Sequence, residues 1–159
     1  MGITGIWEGY VPTSTDLYIR GNNAANFTAN FNISFESGGI LNTGNGMPIL
    51  TSGKSYNYSG YKYLKTQIYI TRLTLTASNT YSSRIKVVAH RKNASESIIG
   101  TGQANNVTVG STYTITTSLT NASFTSPIII KIPHYRINNV NEEVGPQGWE
   151  GYVYRIWIE

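Results

Sequence analysis

A chain of 159 residues is the size of one domain and can bury a real core. Charged residues make up 13%, well under the roughly 25% of an average globular protein, and the net charge is +4. The basic residues are scattered without a run or a nucleic-acid motif, so DNA or RNA is not an expected partner. The absence of cysteine excludes disulfides, thiolate metal sites and cysteine nucleophiles.

The polar surface is built instead from Asn, Ser, Thr and Gly, together with 12 Tyr. That composition fits a virion or extracellular protein better than a cytosolic enzyme. No stretch approaches the roughly 20 apolar residues of a membrane span, so membrane insertion is not expected. The opening MGITGIWEGYVP lacks the basic start and apolar run of a signal peptide.

In chain order, residues 3–11 read as a first strand stopped by Pro12, and residues 17–20 as a short second one. Residues 27–35 alternate cleanly, with Phe27, Ala29, Phe31, Ile33 and Phe35 on one face, which predicts a single strand with one wet side. Residues 37–58 are rich in Gly, Asn, Ser and Thr and predict loops with a short strand or two, around Ile49-Leu50. Residues 61–77 predict the central strand. Leu64, Ile68 and Ile70 share one parity, whereas Leu73, Leu75 and Ala77 have the other. A regular strand cannot flip its faces, so a β-bulge, or a bend from one sheet to another, is expected at Thr71-Arg72.

Residues 84–92 follow as a strand with Ile85, Val87 and Ala89 inward, and residues 93–96 turn it into a hairpin with residues 97–102. Residues 106–109 and 112–120 predict two further strands. The run Ile128, Ile129, Ile130, Ile132 predicts burial on both faces. Residues 135–144 read as loop, 145–148 as a turn, and 149–158 as the last strand. No stretch reads as a helix. About ten short strands with Gly/Asn punctuation predict one antiparallel two-sheet β-sandwich, a jelly roll, over residues 1–159.

The pentapeptide WEGYV occurs at residues 7–11 and again at 149–153. Its physical reading is that both end strands sit in similar environments as neighbours. On strict alternation, Tyr152, Tyr154, Ile156 and Ile158 of the last strand face the core, while Trp149, Val153, Arg155 and Trp157 face outward. Trp7, Trp149, Arg155 and Trp157 are therefore candidates for a ligand or subunit contact, since Trp and Arg dominate interface hot spots. The alternative is that these rings pack under a loop. A second candidate is the cluster Tyr56, Tyr58, Tyr61 and Tyr63 with Lys54, Lys62 and Lys65, whose commoner role is cross-strand aromatic pairing.

Catalytic patterns are sparse. Asp16 is the sole aspartate, and the two carboxylates a glycosidase requires are met only by a speculative Glu8–Glu150 pair. His90 and His134 lack metal-ligand spacing, and no phosphate loop or calcium loop is present, so no cofactor or metal is expected. Asn-x-Ser/Thr triplets at Asn26, Asn32, Asn57, Asn93, Asn106 and Asn121 matter only in a eukaryotic secretory pathway.

The helix-free pattern, the Asn/Thr/Tyr-rich strands and the closing GYVYRIWIE resemble the jelly-roll modules of carbohydrate-binding domains and of tailed-phage accessory and receptor-binding proteins. The resemblance covers the whole chain in style but transfers no binding residue. It implies a non-enzymatic virion module acting through cell-surface glycans or other virion proteins, or else a carbohydrate-binding module of a larger secreted enzyme. It also implies a homo-oligomer, a trimer by analogy with fibres.

Overall fold

The computed structural model describes residues 14–21, 26–30, 32–44, 46–75, 81–119 and 124–159. Its strands, in chain order, are β1 (Thr15–Ile19), β2 (Phe27–Ala29), β3 (Ile33–Glu36), β4 (Gly39–Asn42), β5 (Ile49–Ser52), β6 (Tyr56–Asn57), β7 (Tyr63–Leu73) and β8 (Ser82–Arg91). There follow β9 (Ile98–Asn105), β10 (Thr112–Ser118), β11 (Thr125–Ser126), β12 (Ile128–Lys131), β13 (His134–Ile137), β14 (Glu143–Gln147) and β15 (Trp149–Ile158). Among the described residues there is no α-helix. All strand pairings are antiparallel.

A front sheet runs β10–β7–β15, then β4 and β3, with β1 sharing the free side of β15 beyond β4. A back sheet runs from β9 to β8. On β8, β12 and β13 lie end to end; β14 flanks β13, and β5 then β2 flank β12. The chain moves between equivalent places in the two sheets, from β4 to β5, β7 to β8 and β9 to β10. That nesting is a jelly-roll β-sandwich.

The core follows from period-two alternation on the central strands. Leu64, Thr66, Ile68 and Ile70 of β7 face Ile85, Val87 and Ala89 of β8 across the interior, all fully buried. Ile128, Ile130 and Ile132 fill the space beside them, each contributing about 1.5–3 kcal/mol by burial. Ile129, on the other parity, is also buried, so the isoleucine run is covered on both faces as its sequence predicts.

Three expectations change. Residues 27–35 are not one strand: β2 belongs to the back sheet and β3 to the front sheet. The chain crosses between them at Asn32, which takes a left-handed φ of 68°, a conformation that Asn tolerates better than the apolar residues around it. Residues 106–109 form a turn, opened by Asn106 at φ 53°, rather than a strand. Residues 135–144 are not all loop. They contain β13, whose backbone pairs with the otherwise bare half of β8, and the first residues of β14.

The bulge expected in β7 is present. Glu150 pairs with Arg72 but Gly151 pairs with Ile70, leaving Thr71 extra. The strand does not cross to the other sheet; it ends at Leu73 within the front one. A second bulge, unforeseen, lies on β15: Val153 pairs with Ile68 and Arg155 with Gln67, so Tyr154 is extra. The two insertions are on opposite strands and cancel, so Trp149 meets Leu73 at one end and Ile158 meets Leu64 at the other. The repeat at residues 7–11 lies outside the described residues, and so does its pairing with the last strand.

Gly151 sits at the first bulge with φ 155°, and a Cβ there would meet the Tyr69 carbonyl oxygen. Gly151→Ala is expected to destabilise the fold by about 3 kcal/mol, read as a lower urea midpoint at unchanged slope. An unchanged midpoint would show that the bulge accepts a side chain.

Candidate functional site: an aromatic face bracketed by two bulges

The β15 bulge overturns the strict alternation expected of the last strand. Trp149, Gly151 and Val153 point inward; past the extra residue, Ile156 and Ile158 point inward as well. Trp149 is fully buried and donates from Nε1 to the Ile132 carbonyl at 2.9 Å. Its own carbonyl accepts from Asn42 Nδ2 at 2.6 Å. It is a core residue that ties the sheets together, not an outward one. Tyr152 and Tyr154 are moved to the outer face.

That face carries a compact aromatic group. Tyr152 pairs across strands with Tyr69, and Tyr154 stands beside both. The Tyr154 ring lies 6.0 Å from Tyr69 at an interplanar angle of 10°, and 6.0 Å from Tyr152 at 17°. All three are half-buried. Gly39 makes the arrangement possible: a Cβ there would lie 3.2 Å from Tyr154 Cδ1.

Two guanidinium groups rest on aromatic rings of this face. Arg20 Cζ lies 4.4 Å from the Tyr154 centroid, and its backbone N–H donates to the Tyr154 carbonyl at 2.9 Å. Arg155 Cζ lies 4.2 Å from the Trp157 centroid while its Nε donates to Asp16 Oδ1 at 2.6 Å. Trp157 is outward in register but 9% exposed, because Arg155 covers its ring and its Nε1 donates to Glu159 Oε2 at 3.0 Å. Lys65 pairs with Glu159 at 2.6 Å. Hydrogen bonds from Lys65 and Trp157 hold the Glu159 carboxyl below the usual carboxylate range.

The other residues singled out from sequence do not form a site. Tyr56 and Tyr58 are buried, Tyr58 against Phe124 at 5.3 Å, and burial pushes the Tyr58 phenol well above its ordinary value. Both belong to the hydrophobic core, held there as β6 pairs with β11 and the Tyr58 N–H donates to the Phe124 carbonyl at 3.0 Å. Tyr61 is half-buried and bonded to Thr15 Oγ1 at 2.7 Å, whereas Tyr63 is 40% exposed and apart from the tyrosine group. Trp7 and Glu8 lie outside the described residues. Glu150 is paired with Arg72 at 3.3 Å. Among the described residues no group of three or more His, Cys, Asp or Glu could hold a metal ion.

Sequence reasoning missed Arg20, Tyr69, Tyr152, Tyr154 and Asp16. Tyr69 was legible, since it alternates with the inward Ile68 and Ile70. Tyr152 and Tyr154 flank the inward Val153, and that local parity is the signal that strict alternation along the whole strand obscures.

No family model matches the chain, and no curated protein matches it. Among solved structures, it is similar to TmCBM27, a carbohydrate-binding module described for its specific mannan recognition. The identity is 12%, with 93% of this chain and 96% of that chain covered at a TM-score of 0.49. At that identity and score no residue or role is carried across.

The two histidines have structural places. His90 Nδ1 meets the Glu96 carbonyl at 2.8 Å in the β8–β9 hairpin. His134 is fully buried, with Nδ1 meeting the Gly148 carbonyl at 2.9 Å. Burial lowers the His134 pKa below its ordinary 6.5. Between those two values the unfolded chain binds a proton that the folded one does not. The stability contributed by this neutral ring is present above pH 6.5 and is lost as the pH falls toward the lowered folded value. Glu143, whose pKa lies below 4.5, adds its own loss only at more acid pH. Urea midpoints should fall between pH 7 and pH 5, and His134→Gln should flatten that part of the profile. A midpoint independent of pH there would show that the ring does not titrate with folding.

Proposed function

We propose that the chain is a non-catalytic glycan-binding module that seats a saccharide on the outer face of the front sheet. The supporting observation is the near-parallel group Tyr69, Tyr152 and Tyr154, presented on an open sheet face and bordered by Arg20, Arg155, Lys65, Asp16 and Glu159. A sugar ring has a C–H face of apolar character and an equatorial rim of hydroxyls. Tyrosine offers flat apolar area with a polar tip, and charged side chains nearby offer donors and acceptors to the rim. A flat sheet surface also suits an extended polymer better than a closed pocket does.

Binding rather than cleavage is favoured by how the acids are used. A glycosidase needs one carboxyl held protonated as general acid. On this face Glu159 is shifted the opposite way, and Asp16 is bound to Arg155. Of the two uses drawn from the sequence resemblance, this reading takes that of a carbohydrate-binding module, acting outside the cell as part of a larger secreted protein. Nothing observed favours virion assembly.

Affinity electrophoresis against mannan, β-glucan, alginate and polygalacturonate tests the reading. The chain should be retarded by at least one polymer. Tyr152→Ala should weaken that binding about tenfold or more, with Tyr63→Ala as an unaffected control. Loss of binding in Tyr63→Ala but not Tyr152→Ala would move the site to the other cluster. Tyr152→Ala that instead dissociates an oligomer in light scattering would make the face an interface between copies.

A further inference from the structure

Arg155 and Arg20 are two versions of one unit, and they differ in a single respect. Each guanidinium lies over an aromatic ring of the front sheet, with Cζ 4.2 Å from the Trp157 centroid for Arg155 and 4.4 Å from the Tyr154 centroid for Arg20. They sit on adjoining strands: Ile19 of β1 pairs with Arg155, and Arg20 follows directly. Stacking uses the face of the guanidinium and leaves its N–H edge free for a planar acceptor. For Arg155 that edge is taken by a carboxylate, Asp16 at 2.6 Å. For Arg20 no acidic side chain among the described residues is within ion-pair distance.

Four other described acids are committed elsewhere. Glu159 is held by Lys65, Glu150 by Arg72, and Glu143 by Arg84 and Lys86. Glu36, on the outer edge strand, accepts from Ser34 Oγ at 3.0 Å. The front face thus has three internally neutralised pairs, Lys65–Glu159, Arg155–Asp16 and Arg72–Glu150, while the ring-seated Arg20, at the edge of the tyrosine group, has no such partner among the described residues. Stacking on Tyr154, itself beside Tyr69 and Tyr152, limits the rotamers of Arg20 and lowers the entropy it would lose on binding.

We infer that the ligand of this face is an acidic glycan whose carboxylate is bound by Arg20. The inference rests on the glycan reading above and narrows it to a class: uronic-acid polymers or other carboxylated saccharides, with the sugar ring on Tyr69 and Tyr152 and the carboxylate on the N–H edge of Arg20. A carboxylate can occupy the N–H edge of a guanidinium, as Asp16 Oδ1 on Arg155 Nε shows within the same sheet. Neutral sugars would offer Arg20 hydroxyl acceptors but no opposite charge.

The test is a comparison of polygalacturonate with mannan, in affinity electrophoresis and in titration calorimetry with defined oligosaccharides. The intact chain is expected to bind the acidic polymer about tenfold more tightly than the neutral one, and added salt should erode that preference. Arg20→Gln should remove the preference while leaving the thermal midpoint in place. Lys131→Gln, a cation of the back sheet, should leave the preference intact and so separate a site from mere net positive charge. If Lys131→Gln weakens acidic binding as much as Arg20→Gln does, the inference is wrong. If mannan binds as well as polygalacturonate and Arg20→Gln changes nothing, the acidic class is excluded while the tyrosine face stands. If neither these nor the other polymers bind, both the class and the glycan reading fall.

Discussion

The pairing of β7 with β15 is the constraint on which the rest of the molecule depends. These are the long central strands of the front sheet, and their ladder carries one extra residue on each side, Thr71 on β7 and Tyr154 on β15. A single insertion would leave every side chain beyond it on the wrong face. Two insertions on opposite strands cancel, and the displaced register is confined to the short segment between them. That segment buries Ile68, Ile70 and Val153 and leaves Tyr69 and Tyr152 outward. Bulges re-aim side chains and increase local twist. Here they bring three tyrosines together at the centre of a sheet face while leaving the hydrophobic core continuous beneath.

That geometry explains which parts of the sequence were legible. The all-β class, the central strand, the β8–β9 hairpin and the bounds of the last strand follow from local period-two patterning, which backbone geometry obeys residue by residue. The bulge at Thr71 was legible because the apolar set changes parity within one strand. The bulge at Tyr154 is hidden because tyrosine and tryptophan fit either face: the aliphatic markers that bracket it, Val153 and Ile156, are three residues apart. Strict alternation places Trp149 and Trp157 on one face, yet one is sealed in the core and the other lies under Arg155. Which ring is covered depends on Asn42, Ile132 and Asp16, residues distant in sequence that no local pattern connects.

The split of residues 27–35 has the same origin. Phe27 and Phe35 share a parity, but Phe27 is buried in the back sheet and Phe35 is 37% exposed on an edge strand of the front sheet. Alternation specifies a face of a strand; it does not specify that consecutive apolar residues belong to the same sheet. The deciding feature is Asn32, a residue that accepts positive φ and lets the chain change layers. Strand β13 was missed for the converse reason. Its polar sequence, HYRI, carries little strand signal, and it is held by pairing with β8 and by the burial of His134 and Ile137 rather than by propensity.

A chain with so few charges has room to scatter its cations in solvent, but it seats many of them on rings. Arg20, Lys54, Lys86, Arg91 and Arg155 each lie over an aromatic side chain at 4.2–5.7 Å. Such contacts occur roughly once per 70–80 residues, so five in a chain of this length exceed the usual density. The physical consequence is a surface whose cations lose little freedom on binding, since the rings already restrict them. Where a carboxylate of the chain completes the unit, as at Arg155 and Asp16, the result is a closed brace between β15 and β1. The Arg20–Tyr154 unit lies beside the same strand pair with no such carboxylate among the described residues, so the geometry that braces the sheet at one point is left without its internal acceptor at the next.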